Sequence, residues 1–266
     1  MNMIPSLSKA RQGNVNITVA LIMTATVTPP ADTPRLARVD PKLRMDDYVS
    51  ALDFYIGELG RSIDRIIFVD NSDADLSPLQ ALAKTRGASR EVDLITYAGL
   101  DHSPEYGRCY GEMRLLNYAM STRTVLALPA DTVFWKVTGR YKVRNLYALV
   151  GARPANAAFY CDMRVGRSPW MDMRVMSWTR AGFEAILTDF HEEIREDENQ
   201  GRMGEETAYL RLGPRIGSTP VCLCLNREPL IDGVRAYDNQ NWSQGRQRIV
   251  YHLRQIQRLV LRRVIF

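Results

Sequence analysis

The feature that most constrains this chain is a rhythm in its first 150 residues. Short apolar runs at 17–23, 65–69, 92–97 and 132–137 alternate with segments whose apolar residues recur at helical spacing. The first run, Ile17-Thr-Val-Ala-Leu-Ile-Met23, is almost continuously apolar, so it reads as a strand covered on both faces. Tyr48, Leu52, Tyr55, Ile56 and Leu59 then predict a helix over about 46–59. Ser77-Pro78 predicts a cap and a first-turn proline for a helix running to Ala83. Further helices are expected at 105–120 and 143–150. Strands and helices alternating at this spacing predict βαβ units. The expected class is α/β, with a mostly parallel, Rossmann-like sheet and helices on both faces. The crossovers should be right-handed.

The second half follows a different pattern. Residues 157–163 and 172–178 predict strands with no long helix between them, and 179–189 a helix. A charged loop at 191–204, one or two helical turns at 205–212 and a last strand at 221–225 complete the expectation. The organisation expected is a flexible arm at 1–15, one domain at 16–245 and a basic amphipathic helix at 246–266.

Composition removes several function classes. With 45% apolar and 24% charged residues the chain is globular, not collagenous, coiled-coil or disordered. No apolar run reaches the roughly 18 to 20 residues of a membrane span. Lys9 and Arg11 precede the first apolar run, as in a secretory leader. That run is rich in β-branched residues and its basic flank is long and polar, which favours a buried strand. Cys109, Cys161, Cys222 and Cys224 show neither zinc spacing nor a disulfide framework, which fits a reducing cytoplasm. The formal net charge is +5, yet six arginines and no acid follow Asp238, so the rest of the chain carries −1. A neutral body with a basic tail argues against nucleic-acid binding.

In an open parallel sheet, ligands bind beyond the carboxyl ends of the strands. Those ends are Thr24-Ala25-Thr26, Asp70-Asn71-Ser72, residues 99–103 and Thr138-Gly139-Arg140, all small or polar. Neither GxGxxG nor GxxxxGK[ST] occurs, so the usual dinucleotide and P-loop cradles are missing. Asp70 suits a base or ribose contact, or equally a local turn. Tyr106-Gly-Arg-Cys-Tyr-Gly-Glu112 puts two glycines at a helix start, where backbone amides favour phosphate; a simple capped helix is the plainer reading. Trp135-Lys-Val-Thr-Gly-Arg-Tyr141 is the most informative stretch. Lys136, Arg140 and Lys142 surround a glycine turn at a strand end, and arginine can grip a diphosphate with two parallel bonds.

Taken in order, Met23-Thr-Ala-Thr-Val-Thr-Pro29, Arg44-Met-Asp-Asp-Tyr48, Phe68-Val-Asp-Asn-Ser72, Tyr110-Gly-Glu112 and Lys136-Val-Thr-Gly-Arg-Tyr141 form a pattern. The chain resembles bacterial glycosyltransferases of the GT-A type that build surface polysaccharide or lipopolysaccharide. The likeness is close over about 17–150 and loose beyond. It implies a GT-A-like fold, with a nucleotide-sugar half at 16–150 and an acceptor half at 151–245. The donor would lie against Thr24, Thr26, Asp70, Asn71, Gly111, Glu112, Lys136, Thr138, Gly139 and Arg140. The acceptor would be a glycan or a lipid-linked sugar.

The resemblance also exposes a departure. Such enzymes usually carry Asp-x-Asp after the fourth strand to hold Mg²⁺ or Mn²⁺ on the donor diphosphate, and Thr138-Gly139-Arg140 stands there instead. The nearest carboxylates, Asp131, Asp162 and Asp172, are single. Gly204-Glu-Glu-Thr-Ala-Tyr-Leu-Arg211 resembles the Glu-Asp-x-x-x-x-Arg stretch of inverting members. That likeness makes Glu206 the base for the acceptor hydroxyl and Glu205 the neighbour that raises its pKa. Both could instead be solvated acids favoured by a helix dipole.

Two other readings compete. A nucleotidyltransferase making nucleotide sugars should have a Gly-rich basic loop after its first strand, and residues 24–28 contain no glycine. A non-catalytic scaffold on the membrane surface is the other. Ile249, Leu253, Ile256 and Val260 form one apolar stripe, with Arg254, Arg258 and Arg262 on a neighbouring face. Either the stripe docks on the domain and leaves the arginines solvated, or the helix lies on the anionic inner leaflet of the cytoplasmic membrane.

Overall fold

The continuously apolar first run becomes the centre of a sheet. In a computed structural model of the chain, which describes residues 17–164 and 169–261, it is strand β1 (Val19–Ala25). Helix α1 (Pro41–Ile56), β2 (Arg65–Asp70), α2 (Ser77–Thr85) and β3 (Val92–Thr96) follow. Next come α3 (Arg108–Ser121), α4 (Arg123–Leu126), β4 (Val133–Thr138), β5 (Lys142–Val143) and α5 (Leu146–Gly151). The second half holds β6 (Phe159–Arg164), β7 (Trp170–Thr179), α6 (Arg180–Ile186), α7 (Gly204–Ile216), β8 (Val221–Cys222), β9 (Ile231–Asp232) and α8 (Arg246–Leu261). The expected arm at 1–15, and Arg262 and Arg263, lie outside the described residues.

Seven strands form one sheet in the order β3-β2-β1-β4-β7-β6-β8. β1, β2, β3 and β4 are mutually parallel, and β7 runs antiparallel to both β4 and β6. The α/β class and the mostly parallel sheet follow the sequence expectation. Leu21 and Met23 face one core with Tyr48, Leu52 and Tyr55 of α1, while Ala20 and Ile22 face another with Met113, Leu116 and Ala119 of α3. Helices thus cover both faces, which is why β1 is apolar at consecutive positions. Each of its fully buried large side chains contributes about 1.5–3 kcal/mol.

Several element bounds differ from expectation, each for a local reason. α1 starts five residues before the expected 46, because the Asp40 carboxylate caps the amides of Lys42 (2.8 Å) and Leu43 (3.2 Å) and Pro41 fits the first turn. Ser77 is not the cap of α2. It lies within the helix, and the Asp75 carboxylate accepts its amide at 2.9 Å. The helix expected from 105 splits into a 3₁₀ turn (Pro104–Tyr106) and α3, divided by Gly107 at φ 88°. The short β5–β9 pair, joined by Lys142↔Asp232 and Val143↔Ile231, had no periodic signal to announce it.

The C-terminal helix contradicts the expected docking mode. Ile249, Leu253 and Ile256 of α8 are 63%, 62% and 59% exposed. Its arginine face turns inward instead. Arg258 bonds Asp162 Oδ2 (2.7 Å), Glu228 Oε2 and the carbonyl of Leu225 (2.7 Å). Two buried carboxylates outcompete the apolar core as the docking partner, because each would be costly to bury uncompensated. Among the described residues no helix is long and apolar enough to cross a membrane.

Candidate functional site

The carboxyl ends of β1, β2 and β4 open into a cleft of about 920 Å³, which α3, α7 and the start of β7 help to wall. That size suits a small-molecule ligand. Thr24, Thr26, Asn71, Gly111, Glu112, Thr138 and Arg140 all line it. The chain brings them together through strand register, since β1 and β4 pair Thr24 with Thr138. Gly139 then donates its amide to the Thr24 carbonyl at 2.9 Å. A Cβ on Gly139 would meet that carbonyl oxygen at 2.7 Å, so only glycine allows the approach.

Four of the expected contacts lie elsewhere. Asp70 is fully buried, and its carboxylate accepts from the amides of Val27 (2.8 Å), Ser72 (2.9 Å) and Ala74 (3.2 Å). It ties the loop after β1 to the end of β2 and is closed to a ligand. Gly139 acts through the strand contact just described and does not line the cleft. Lys136 is fully buried beneath the floor, 2.6 Å from Glu112 Oε1. Its ammonium also donates to the Met173 carbonyl and to Thr138 Oγ1 (3.3 Å), so its three N–H groups are used. Lys136 is therefore an internal counter-ion and not a phosphate ligand. Glu112 Oε1 accepts from Thr24 Oγ1 at 2.7 Å, which fixes the cleft floor.

Glu206 is the fourth. It does not line the cleft, whereas Glu205 does. Gly204 makes this possible, because a Cβ there would meet Cys109 Cβ at 2.3 Å; without one, α7 packs tightly on α3. Glu205 then sits at the start of α7 beside the Cys109 thiol. Burial raises its pKa against the opposing hydrogen bonds from its own backbone and from Cys109. Its Oε2 is buried with no hydrogen-bond partner among the described residues.

Arg140 presents the matching feature in a cation. It is 5% exposed, donates Nη1 to the Val234 carbonyl at 2.8 Å and lies 3.9 Å from Asp47. Its Nε is buried without a partner. A lone unsatisfied donor on a buried guanidinium costs about 1–3 kcal/mol, so it asks for an explanation. Arg44 stands nearby, held by the carbonyls of Thr26 (2.7 Å) and Arg38 (3.0 Å). Burial lowers its pKa, and repulsion from Arg140 adds to this.

From β7 the sequence offered only Asp172, as a single carboxylate, and not the strand's role in the cleft wall. Trp170, Asp172 and Arg174 all line the cleft. Their two-residue spacing puts them on one face of the strand, a signal that was available. Burial pushes the Asp172 pKa up, but the guanidiniums of Arg174 and Arg164 outweigh it and hold the carboxyl well below its ordinary range. Arg174 also stacks on Trp242, its guanidinium carbon 4.3 Å from the ring centre. His102 lines the cleft too, and burial with the neighbouring Arg114 lowers its pKa, which disfavours the imidazolium.

The carboxylates do not assemble a metal site. Asp131 is exposed just before β4, at the opposite end of that strand from the cleft. Asp162 lies outside the cleft lining and is bound by Arg258 at 2.7 Å, with Arg164 at 3.7 Å. Both expectations are corrected on these grounds. No cluster of three or more His, Cys, Asp or Glu able to hold a metal occurs among the described residues.

No family model matches the chain, and no curated protein is significantly similar to it. Among solved structures it is similar to a protein from Desulfovibrio desulfuricans G20 described as a nucleotide-diphospho-sugar transferase. That match has 11% identity and a TM-score of 0.47, covering 92% of this chain and 97% of the other. It is also similar to a 4-diphosphocytidyl-2C-methyl-D-erythritol synthase (13% identity, TM-score 0.41, 94% and 100% covered). A cytidylyltransferase from Leptospira borgpetersenii serovar Hardjo-bovis (strain JB197) matches at 10% identity and TM-score 0.36, covering 75% and 71%. At these identities and TM-scores the likenesses assign neither a family nor a function.

Proposed function

We propose that the chain is a glycosyltransferase that moves a sugar from a nucleoside diphosphate to a hydroxyl of a glycan or lipid-linked acceptor. The observation that carries this reading is one cleft holding both a buried guanidinium with an unsatisfied N–H, Arg140, and a half-buried carboxylate with one buried, unsatisfied oxygen, Glu205. The acceptor oxygen forms a bond to the anomeric carbon as the bond from that carbon to the distal phosphate oxygen breaks. The electron pair leaves with the nucleoside diphosphate, and the acceptor proton passes to Glu205. Arg140 stabilises the charge that grows on the departing phosphate. Glu205 replaces Glu206 as the proposed base because it is the one in the cleft, and burial raises its pKa, which strengthens it as a proton acceptor.

A nucleotidyltransferase is the second reading, and the glycine-free turn after β1 supports it less. Incubating the full chain with nucleoside diphosphate sugars and an acceptor glycan should release the nucleoside diphosphate. Release of pyrophosphate from a nucleoside triphosphate and a sugar phosphate would instead favour the second reading.

The outward apolar stripe of α8 supports an enzyme that rests on a membrane surface through apolar contact, with the cytoplasmic inner leaflet as the proposed location. Contact would be made by Ile249, Leu253 and Ile256, since Arg254 and Arg258 face the body.

A further inference from the structure

We infer that this cleft neutralises its nucleoside diphosphate with arginine guanidiniums and needs no divalent cation. The inference rests on the nucleotide-sugar reading and specifies how that ligand is held. Six arginines line the cleft, Arg35, Arg44, Arg108, Arg140, Arg164 and Arg174, against the three carboxylates Glu112, Asp172 and Glu205. The lining therefore carries a surplus of three positive charges. A divalent cation entering it is repelled, whereas a diphosphate is attracted.

The carboxylates present are also committed. Asp172 is bound by Arg174 and by Arg164 at 2.8 Å, and Glu112 is paired with Lys136 at 2.6 Å. Freeing either for a metal would leave a buried cation uncompensated. That leaves Glu205, one carboxylate, in a role a metal would block. The end of β4, where an acidic pair would have to stand, instead presents Thr138, Gly139 and the nine-tenths-buried Arg140 with its unsatisfied Nε. A guanidinium offers planar paired donors that match phosphate oxygens. Arg35 and Arg108 form no salt bridge with a described residue, and they supply further charge at the cleft wall.

Calorimetric titration of the full chain with UDP, GDP, CDP and ADP tests this, once in EDTA and once in excess Mn²⁺ or Mg²⁺. The expected result is one preferred nucleotide whose dissociation constant changes less than about threefold between the two conditions. Arg140→Gln should weaken that binding at least tenfold in EDTA, and added metal should not restore it. Binding seen only with metal overturns the inference and leaves the glycosyltransferase reading standing. Rescue of Arg140→Gln by Mn²⁺ does the same. Absence of binding to all four nucleotides in both conditions overturns the reading and the inference together.

Discussion

Two sets of charged groups, one beneath α8 and one lining the cleft, look alike by composition and differ in closure. Beneath α8, Arg258 has all three nitrogens engaged, Nε with Glu228, Nη1 with the Leu225 carbonyl and Nη2 with Asp162. In the cleft, Arg140 keeps a buried Nε without a partner and Glu205 a buried oxygen without one. A closed cluster has no capacity left for a ligand, and its removal costs stability. An open cluster carries an unmet desolvation cost that a ligand can relieve, and its removal costs function. Burial and charge alone do not separate the two, and neither does an unmet hydrogen bond by itself, since Arg65 Nε is also buried without a partner outside the cleft; the distinguishing combination is an unmet hydrogen bond in a residue that lines the cleft.

The sharpest separation should come from the open cluster's acid. Glu205→Gln is expected to lose turnover by about 10²–10⁴-fold, the usual contribution of a general base, with nucleotide affinity unchanged. Glu206→Gln should stay within a few-fold of the parent. Steady-state kinetics on the two variants decides between them, and the reverse pattern would move the base one residue along the helix.

Closed clusters should respond in stability. Arg258→Ala leaves Asp162 and Glu228 with only the longer contacts to Arg164 (3.7 Å) and Arg254 (3.5 Å), at a cost of up to about 3–5 kcal/mol in urea unfolding. Lys136→Ala should do the same through Glu112. Truncation after Gly245 removes Arg258 as well and should therefore lower the melting temperature. A truncated chain as stable as the parent would mean that α8 contributes nothing to the fold.

A smaller effect concerns the outward face of α8. Sedimentation with lipid vesicles should weaken several-fold in Leu253→Ser, because this stripe is the exposed apolar surface. An unchanged bound fraction would show that the stripe does not contact lipid.

The smallest expected effect is on the pH dependence of stability. Because burial raises the folded-state pKa of Glu205, the folded chain holds that proton more tightly than the unfolded chain. The charged carboxylate thus lowers stability at pH 7, and the penalty fades as pH falls through the folded-state pKa toward the unfolded one. Glu205→Gln should melt slightly higher at pH 7, with the gap narrowing in acid. A constant gap across that range would place its cause elsewhere.

The first half of the fold was legible because its signals are local. A strand buried on both faces is apolar at consecutive positions, and β1 is such a strand. Lys136 was misread because its partner Glu112 lies 24 residues away on α3, and nothing in the Lys-x-Thr-Gly-Arg-Tyr stretch says that the lysine points beneath the floor. The inward turn of Arg258 was hidden for the same reason: Asp162 is 96 residues distant in sequence. The choice of Glu205 over Glu206 was different, because its signal is in the sequence. Glu205 precedes the buried Ala208 and Leu212 by three and seven residues, the helical spacing of one face, and Glu206 falls off that face. The resemblance to inverting enzymes pointed to the second acid, and the periodicity of α7 points to the first.

The difference between open and closed guanidiniums can be observed directly. Arginine Nε–H resonances in nuclear magnetic resonance spectra can be assigned with the variants Arg140→Lys and Arg258→Lys, then followed as the preferred nucleoside diphosphate is added in EDTA. The Arg140 signal should move downfield to saturation, as its unsatisfied proton gains a phosphate acceptor, while the Arg258 signal stays in place. An Arg140 signal that does not respond to saturating nucleotide would contradict that difference.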